Sequence, residues 1–392
     1  MKAVELFAGI GGFRIAADNC GIETVWANDK CRQAATVYRD CFGDTEFIEG
    51  DIEQLKDEIP SHDVLTGGFP CQPFSSAGKK EGIEDPRGTL FSHIVDVLKQ
   101  HQPKYFILEN VKRLLTMDRG MHFATILASL AEMNYRIEWR LMNALWFELP
   151  QNRQRVIVVG VRDRQSAKNP FLGREVFRAR LATEADLLRS KRFDFADAGN
   201  IGEWTPVQKH GAKFPNWGIA WNGKFYACDL SGFSERGHPA LLRNVLQSEH
   251  EVDDQFDFTE STIERIAKSE PVDRFVEGVE ILSNQGGGAR MGYTVFGING
   301  IAPTLTATPS RHYERYKIGE RYRRLTNVEY ARLQGFPDDH CSKVSVYSQY
   351  ALFGNAVPPP MVEWVMRRLD HPGMRSTKLP LRSKQRRLFA DV

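Results

Sequence analysis

No apolar run in this chain is long enough to cross a membrane. The longest, such as Val156 to Val161, fall far short of the roughly 20 residues a spanning helix needs. The first residues, Met1-Lys2-Ala3-Val4-Glu5, lack a basic segment leading into an apolar one, so no secretory signal is expected. Cysteine is sparse. Cys20, Cys31, Cys41, Cys71, Cys228 and Cys341 are scattered, with no CxxC pair. That speaks against a disulfide framework or a zinc knuckle and suits a reducing cytoplasm. No GxxxxGK[ST] is present, which disfavours a P-loop nucleotidase. Internal repeats and long low-complexity tracts are missing. So is any excess of one charge: 52 Lys and Arg against 50 Asp and Glu leave +2.

What is present is 392 residues, 42% of them hydrophobic, enough for a large core and two domains. Short apolar runs alternate with amphipathic stretches in the first part. Ala3 to Phe7, Thr24 to Ala27, Phe47 to Glu49, Asp63 to Thr66, Tyr105 to Leu108 and Arg155 to Val161 read as strands. Strands separated by helices predict an α/β fold, a doubly wound and mostly parallel sheet with ligands at the carboxyl ends of its strands. From about Arg164 to about Gly319 the pattern becomes irregular, and a second, smaller domain is expected there. Within it, Val295 to Ala302 around Asn299-Gly300 reads as a tight hairpin. Thr326-Asn327-Val328-Glu329 is a capping box opening a helix that ends near Gly335. The expected division is 1–165, 166–340, 341–370 and a basic tail, 371–392.

Four features carry chemistry. Phe7-Ala8-Gly9-Ile10-Gly11-Gly12 follows a strand and opens a helix, so its amides can approach a ligand closely. Asp29 ends the next strand, where an acid binds ribose hydroxyls, and Gly50-Asp51-Ile52 ends the third, beside an adenine edge. The same turn also serves as a plain strand-to-helix connection; the two acids tilt the reading toward a nucleoside-bearing cofactor. Gly67 to Lys79 follows the fourth strand and holds Cys71 between Pro70 and Pro73. Such a cysteine is either a nucleophile or a small buried hydrophobe. Glu109 follows the fifth strand and is either a proton donor or a helix-terminal carboxylate. Gln151-Asn152-Arg153-Gln154-Arg155 offers arginines for a carbonyl and a phosphate.

Taken in order, these blocks resemble the DNA (cytosine-5)-methyltransferases, especially the bacterial restriction–modification type. Glu5 to Arg14 resembles that family's cofactor motif, and Gly68-Phe69-Pro70-Cys71-Gln72-Pro73-Phe74-Ser75 its catalytic loop. Asp85 to Phe91, Glu109-Asn110-Val111, Gln151 to Arg155, Arg324 to Pro337 and Gly354-Asn355-Ala356-Val357-Pro358 follow in the family's order. The matches cover about 1–165 and 321–366. The resemblance implies that Cys71 attacks C6 of a cytosine flipped out of duplex DNA. Glu109 would protonate N3, Arg155 would hold O2 and Arg153 would face the DNA backbone. S-adenosylmethionine would lie on Phe7, Gly9, Ile10, Gly11, Gly12, Asp29, Lys30, Asp51, Ile52, Pro70, Leu90, Asn355 and Ala356, leaving S-adenosylhomocysteine. Lys30 stands where relatives often pack a large apolar residue on adenine. Ala77 stands where some carry a serine that enters the space of the flipped base, with Ser75 and Ser76 nearby.

The variable region would select the DNA sequence. Gln72, Ser75, Ala77, Lys79 and Arg87 are expected at the DNA, with Thr304 and Leu305 from a Thr-Leu element and Arg311 and Arg315 from a stretch interleaving cations with aromatics. An amino-methyltransferase would show (D/N/S)-P-P-(Y/F/W) where this chain has Pro70-Cys71-Gln72-Pro73. An RNA-acting relative would have a shorter variable region. A non-catalytic DNA-binding module would not need Cys71, Glu109 and Arg155 together. No obligate protein partner is implied, and a cytoplasmic bacterial monomer is expected. Charge counted by segment agrees with a DNA partner. Residues 1–150 carry 16 basic and 22 acidic side chains, 151–300 carry 20 of each, and 301–392 carry 16 and 8. Phosphate contacts are therefore expected after residue 300 and near Arg153.

Overall fold

The computed structural model describes residues 1–69, 90–131, 133–162, 191–194, 213–221, 224–229, 240–285, 291–307 and 314–369. The expected positions Pro70, Cys71, Gln72, Ser75, Ala77, Lys79, Arg87 and Arg311, and the tail, lie outside the described residues.

A ten-stranded sheet organises the chain. Its strands are β1 (Lys2–Leu6), β2 (Glu23–Asp29), β3 (Phe47–Glu49), β4 (Val64–Gly68), β5 (Tyr105–Val111), β6 (Arg136–Asn143), β7 (Gln154–Val161), β8 (Lys191–Asp194), β9 (Trp217–Trp221) and β10 (Lys224–Cys228). Their order is β3-β2-β1-β4-β5-β7-β6-β9-β10-β8. The block from β3 to β5 is parallel, as the alternation of the sequence predicts. From β1 the chain winds outward to β3 and then returns to β4 on the other side of β1. This reversal opens a crevice at the carboxyl ends of β1 and β4, where ligands of such sheets bind. Beyond β5 the pairing is antiparallel, and β7 enters between β5 and β6.

Both faces of the parallel block are covered, so its strands are apolar on both sides. Phe106 and Leu108 face helices α4 (Leu90–His101) and α5 (Met121–Ala131). Ile107 points the other way, toward a cluster that includes Phe13 and Ala17 of α1 (Gly12–Asn19) and Met361 and Val365 of the last described helix (Pro359–Met366). Helices α2 (Arg32–Phe42) and α3 (Ile52–Leu55) complete the first part. Among the described residues no helix is long and apolar enough to cross a membrane.

The second region is more regular than its sequence suggests. Strands β11 (Glu270–Val276), β12 (Val279–Asn284), β13 (Thr294–Phe296), β14 (Arg315–Ile318) and β15 (Arg321–Arg323) form a five-stranded sheet in that order. β13, β14 and β15 are only three or four residues long, and β11 is largely exposed with charged residues interrupting its apolar ones, so no long apolar run announces the sheet. The hairpin expected at Val295 to Ala302 is not formed. Asn299 instead donates from its backbone and side chain to the Glu280 carboxylate, Ile301 N–H donates to Gly278 O, and Ala302 pairs with Gln151. Its backbone partners come from elsewhere, so an Asn-Gly pair alone mispredicts the turn. The boundary expected at residue 165 also differs, because β8, β9 and β10 extend the large sheet.

Helix α6 (Glu260–Ala267) precedes the second sheet, and α7 (Asn327–Gln334) follows it. The capping box of α7 is as expected: Thr326 accepts from Glu329 N–H while Glu329 accepts from Thr326 N–H. Glu329 is also fully buried against Arg323, at 2.8 Å. Helices α8 (Val346–Asn355) and α9 (Pro359–Met366) return the chain to the large sheet. One apolar cluster joins Ile10, Ile15 and Val37 of the first part to Phe296, Tyr316, Leu333 and Phe353.

Candidate active site

The crevice at the strand reversal is a cavity of about 510 Å³. Its floor is the turn after β1. Phe7 has φ +54, a left-handed conformation costly for a side-chain-bearing residue and tolerated only where the surroundings hold it. Gly9 N–H donates to Asp29 Oδ2 at 2.8 Å, and Cys31 N–H donates to Oδ1 at 2.8 Å. The Asp29 carboxylate thus fastens the glycine turn to the end of β2. Burial raises its pKa, and the amide donors oppose that shift. Phe7, Gly9, Ile10 and Gly12 line the cavity. Gly11 does not. It caps α1 with φ +80, and a Cβ there would lie 2.3 Å from the Phe42 ring. A Cβ on Gly12 would lie 2.4 Å from the Val357 carbonyl oxygen, so glycine lets α1 meet the segment after α8.

The rim comes from β2, β3 and the late segment. Lys30 and Asp51 line it and form an exposed ion pair at 3.6 Å. Asp51 also caps α3, accepting from Glu53 N–H at 3.2 Å, and Ile52 is buried behind it. Leu90, Asn355 and Ala356 close the cavity.

Glu109 and Arg155 stand at the inner end, where antiparallel pairing brings them together. In the β5–β7 register Glu109 lies opposite Ile157, and Arg155 lies opposite Val111. The two side chains are therefore diagonal neighbours on one face. Arg155 Nε lies 2.7 Å from Glu109 Oε1. Both are buried. Desolvation holds the Glu109 carboxyl above its ordinary range, and the Arg155 and Arg153 charges oppose this. Arg155 is correspondingly pushed down by burial. The result is a carboxyl biased toward carrying a proton, beside a guanidinium that stays charged.

Sequence reasoning missed Asn110 as a site residue. Its side chain donates to Phe69 O at 2.9 Å and accepts from Val111 N–H, so it fixes the backbone just after β4, two residues before Cys71 in sequence. Its position directly after Glu109 was the available signal. Asn28, Cys31, Phe69 and Val357 also line the cavity.

Comparison with known proteins decides the family. The description C-5 cytosine-specific DNA methylase matches residues 1–371. The chain belongs to this family. It is 32% identical over 379 residues to Type II methyltransferase M1.ScrFI of Lactococcus lactis subsp. cremoris, covering 94% of this chain and 77% of that one. It is 31% identical to M.HpaII of Haemophilus parainfluenzae, covering 92% and 86%. The match to M.NgoBI of Neisseria gonorrhoeae is higher, 46%, and spans 41% of this chain and 51% of that relative. The fold is similar to that of Spodoptera frugiperda DNMT2, with a TM-score of 0.62, 17% identity and coverage of 94% and 99%.

In this methylase several residues expected at DNA are instead part of the framework. Arg153 is fully buried and donates to Leu305 O at 3.0 Å, Gly354 O at 2.7 Å and Ala356 O at 2.8 Å. A guanidinium committed to three carbonyls cannot face a phosphate. The Leu305 side chain is core, and the Thr304 hydroxyl donates to Asn152 O. Arg315 is buried on β14, its charge disfavoured by desolvation. Charged residues in a loop segment read as exposed in sequence. Here the turn before β7 is instead the place where three chain segments meet.

Proposed function

We propose that this methyltransferase moves the methyl group of S-adenosylmethionine to C5 of a cytosine flipped out of a specific duplex DNA sequence. The modification role of a restriction–modification system, and action as a monomer, belong to the same reading. The side-by-side Glu109 and Arg155 carry it: an acid biased toward its protonated form and a fixed cation, 2.7 Å apart, suit the adjacent N3 and O2 of one pyrimidine edge.

The cavity fits the cofactor. It has the volume of a small-ligand site, a glycine floor, and a half-buried Asp29 carboxylate at the end of β2, an acceptor suited to ribose hydroxyls. Phe7, Gly9, Ile10 and Gly12 would lie beneath it, with Asp51, Ile52, Leu90, Asn355 and Ala356 around it. When bound, S-adenosylmethionine supplies an electrophilic methyl group.

Cytosine C5 is a weak nucleophile, and the chain's residues correct this. The Cys71 thiolate adds to C6 while Glu109 delivers a proton to N3, so C5 becomes the carbon of an enamine. Arg155 holds O2 and stabilises the charge that shifts toward it. After methylation the C5 proton passes to solvent water, the C6–S bond breaks with its electron pair returning to the Cys71 sulfur, and N3 returns its proton to the Glu109 carboxylate. Asn110 fixes the Phe69 carbonyl, two residues before Cys71 in sequence.

The test is to supply labelled S-adenosylmethionine with duplex DNA and digest the product to nucleosides. The label should be found in 5-methylcytosine. Label in N4-methylcytosine or N6-methyladenine, or transfer to tRNA in preference to DNA, would overturn the proposal.

A further inference from the structure

A second cavity of about 480 Å³ is lined by Ile15 and Asp18 of α1, the end of α2 and the segment after α7. His340 stands in it, buried, and links three parts of the chain. Its Nε2 lies 2.7 Å from the carbonyl oxygen of Ile10. Its Nδ1 lies 3.4 Å from the Sγ of Cys41, which is also 3.2 Å from the His340 carbonyl oxygen. The ring packs on Phe336, with centroids 4.7 Å apart, and meets Phe42 edge-on at 5.9 Å.

These distances determine the protonation of the ring. The Ile10 carbonyl only accepts, so Nε2 must carry the proton and donate. Nδ1 is then bare in the neutral ring and faces the Cys41 thiol. Burial lowers the imidazole's pKa and raises that of the Cys41 thiol to about 12, so both groups remain neutral. Ile10 lines the cofactor cavity from the front, and its carbonyl is held from behind. The neighbouring Gly11 is pressed by Phe42, the residue after Cys41. The end of α2 and His340 thus brace consecutive residues of one turn.

We propose that His340, oriented by Cys41, is a positioning residue for the cofactor site: it fixes the Ile10 carbonyl and so sets the curvature of the turn that receives S-adenosylmethionine. The proposal rests on the cofactor reading above. Neither residue touches the reacting atoms. The effect should therefore fall on binding of the cofactor, with the chemical step left alone.

The experiment compares the full chain with His340→Phe, His340→Gln and Cys41→Ala. Phe keeps the ring packing and removes the donor, whereas Gln places an N–H where Nε2 was. S-adenosylhomocysteine binding is read by titration calorimetry, and KM for the cofactor is read separately from kcat on duplex DNA. Losing one hydrogen bond of about 1–1.5 kcal/mol should weaken binding roughly 5- to 10-fold in His340→Phe. KM should rise in step and kcat should hold within about 2-fold. His340→Gln should recover most of the affinity, and Cys41→Ala should lie between. Equal affinity of wild type and His340→Phe would overturn the proposal. So would a loss that His340→Gln does not reduce, or one that falls on kcat with KM unchanged. If the wild type itself fails to bind S-adenosylhomocysteine, the cofactor reading fails instead.

Discussion

The Arg155 guanidinium lies 2.7 Å from the Glu109 carboxylate because β7 runs antiparallel to β5 and so begins where β5 ends. Had β7 joined the parallel block, Arg155 would lie at the opposite edge of the sheet. One exception to parallel order thus assembles the acid and the cation at the cavity.

Glu109→Gln keeps the size of the side chain and an acceptor for Arg155 but cannot release a proton to N3. We expect kcat to fall by about 10²–10⁴-fold, with S-adenosylhomocysteine affinity little changed. Single-turnover transfer and calorimetry check this. A variant within about 10-fold of wild type would remove Glu109 from the role of proton donor.

Arg153→Ala strands three carbonyls, the buried ones of Leu305 and Gly354 and the half-buried one of Ala356. At about 1 kcal/mol each, this predicts a stability loss of roughly 3 kcal/mol or more, together with weaker cofactor binding at Ala356. The salt dependence of DNA binding should keep its slope. A phosphate contact would instead reduce that slope by about 1.

Gly12→Ala would set a Cβ 2.4 Å from a backbone oxygen that has no rotamer to yield. Forcing α1 away from Val357 should cost about 1–3 kcal/mol, read as a lower Tm, and should raise the cofactor KM. An unchanged Tm would show that this junction gives way easily.

Much of this site was legible in sequence. The glycine turn, Asp29, Asp51 and Glu109 each lie at or near the end of a strand whose apolar run is readable, and the carboxyl-edge rule places them together; Arg155 joins them only because β7 is antiparallel, which the sequence did not announce. The capping box at Thr326 was readable because it is local. Three features were not. Arg153 looks like any loop arginine, since its carbonyl partners lie 152 to 203 residues away. The five-stranded sheet is hidden because three of its strands, β13, β14 and β15, are short and β11 is largely exposed. Asn299-Gly300 suggested a hairpin, yet the partners that decided its shape, Glu280 and Gly278, come from a different strand and turn.

Glu5 predicts a pH effect apart from catalysis. It is buried in β1 under the glycine turn, accepts from the Tyr38 hydroxyl at 3.0 Å, and has its pKa raised by desolvation from 4.5 to about 8. A raised carboxyl keeps its proton in the folded state after the unfolded chain has lost it. Its contribution to stability is therefore full below 4.5 and is lost as pH rises through about 8. Glu5→Gln removes the titration and keeps an acceptor for Tyr38. Its Tm relative to wild type should rise between roughly pH 5 and roughly pH 8, and a difference independent of pH would contradict the assignment.

The most direct test of the covalent mechanism uses duplex DNA carrying 5-fluorocytosine at the target position, incubated with S-adenosylmethionine. After methylation C5 holds fluorine in place of a removable proton, so Cys71 cannot be expelled. The account predicts a one-to-one protein–DNA adduct that survives denaturation, requires the cofactor and is absent in Cys71→Ala. Turnover of the fluorinated DNA without an adduct, or methyl transfer to ordinary DNA by Cys71→Ala, would contradict it.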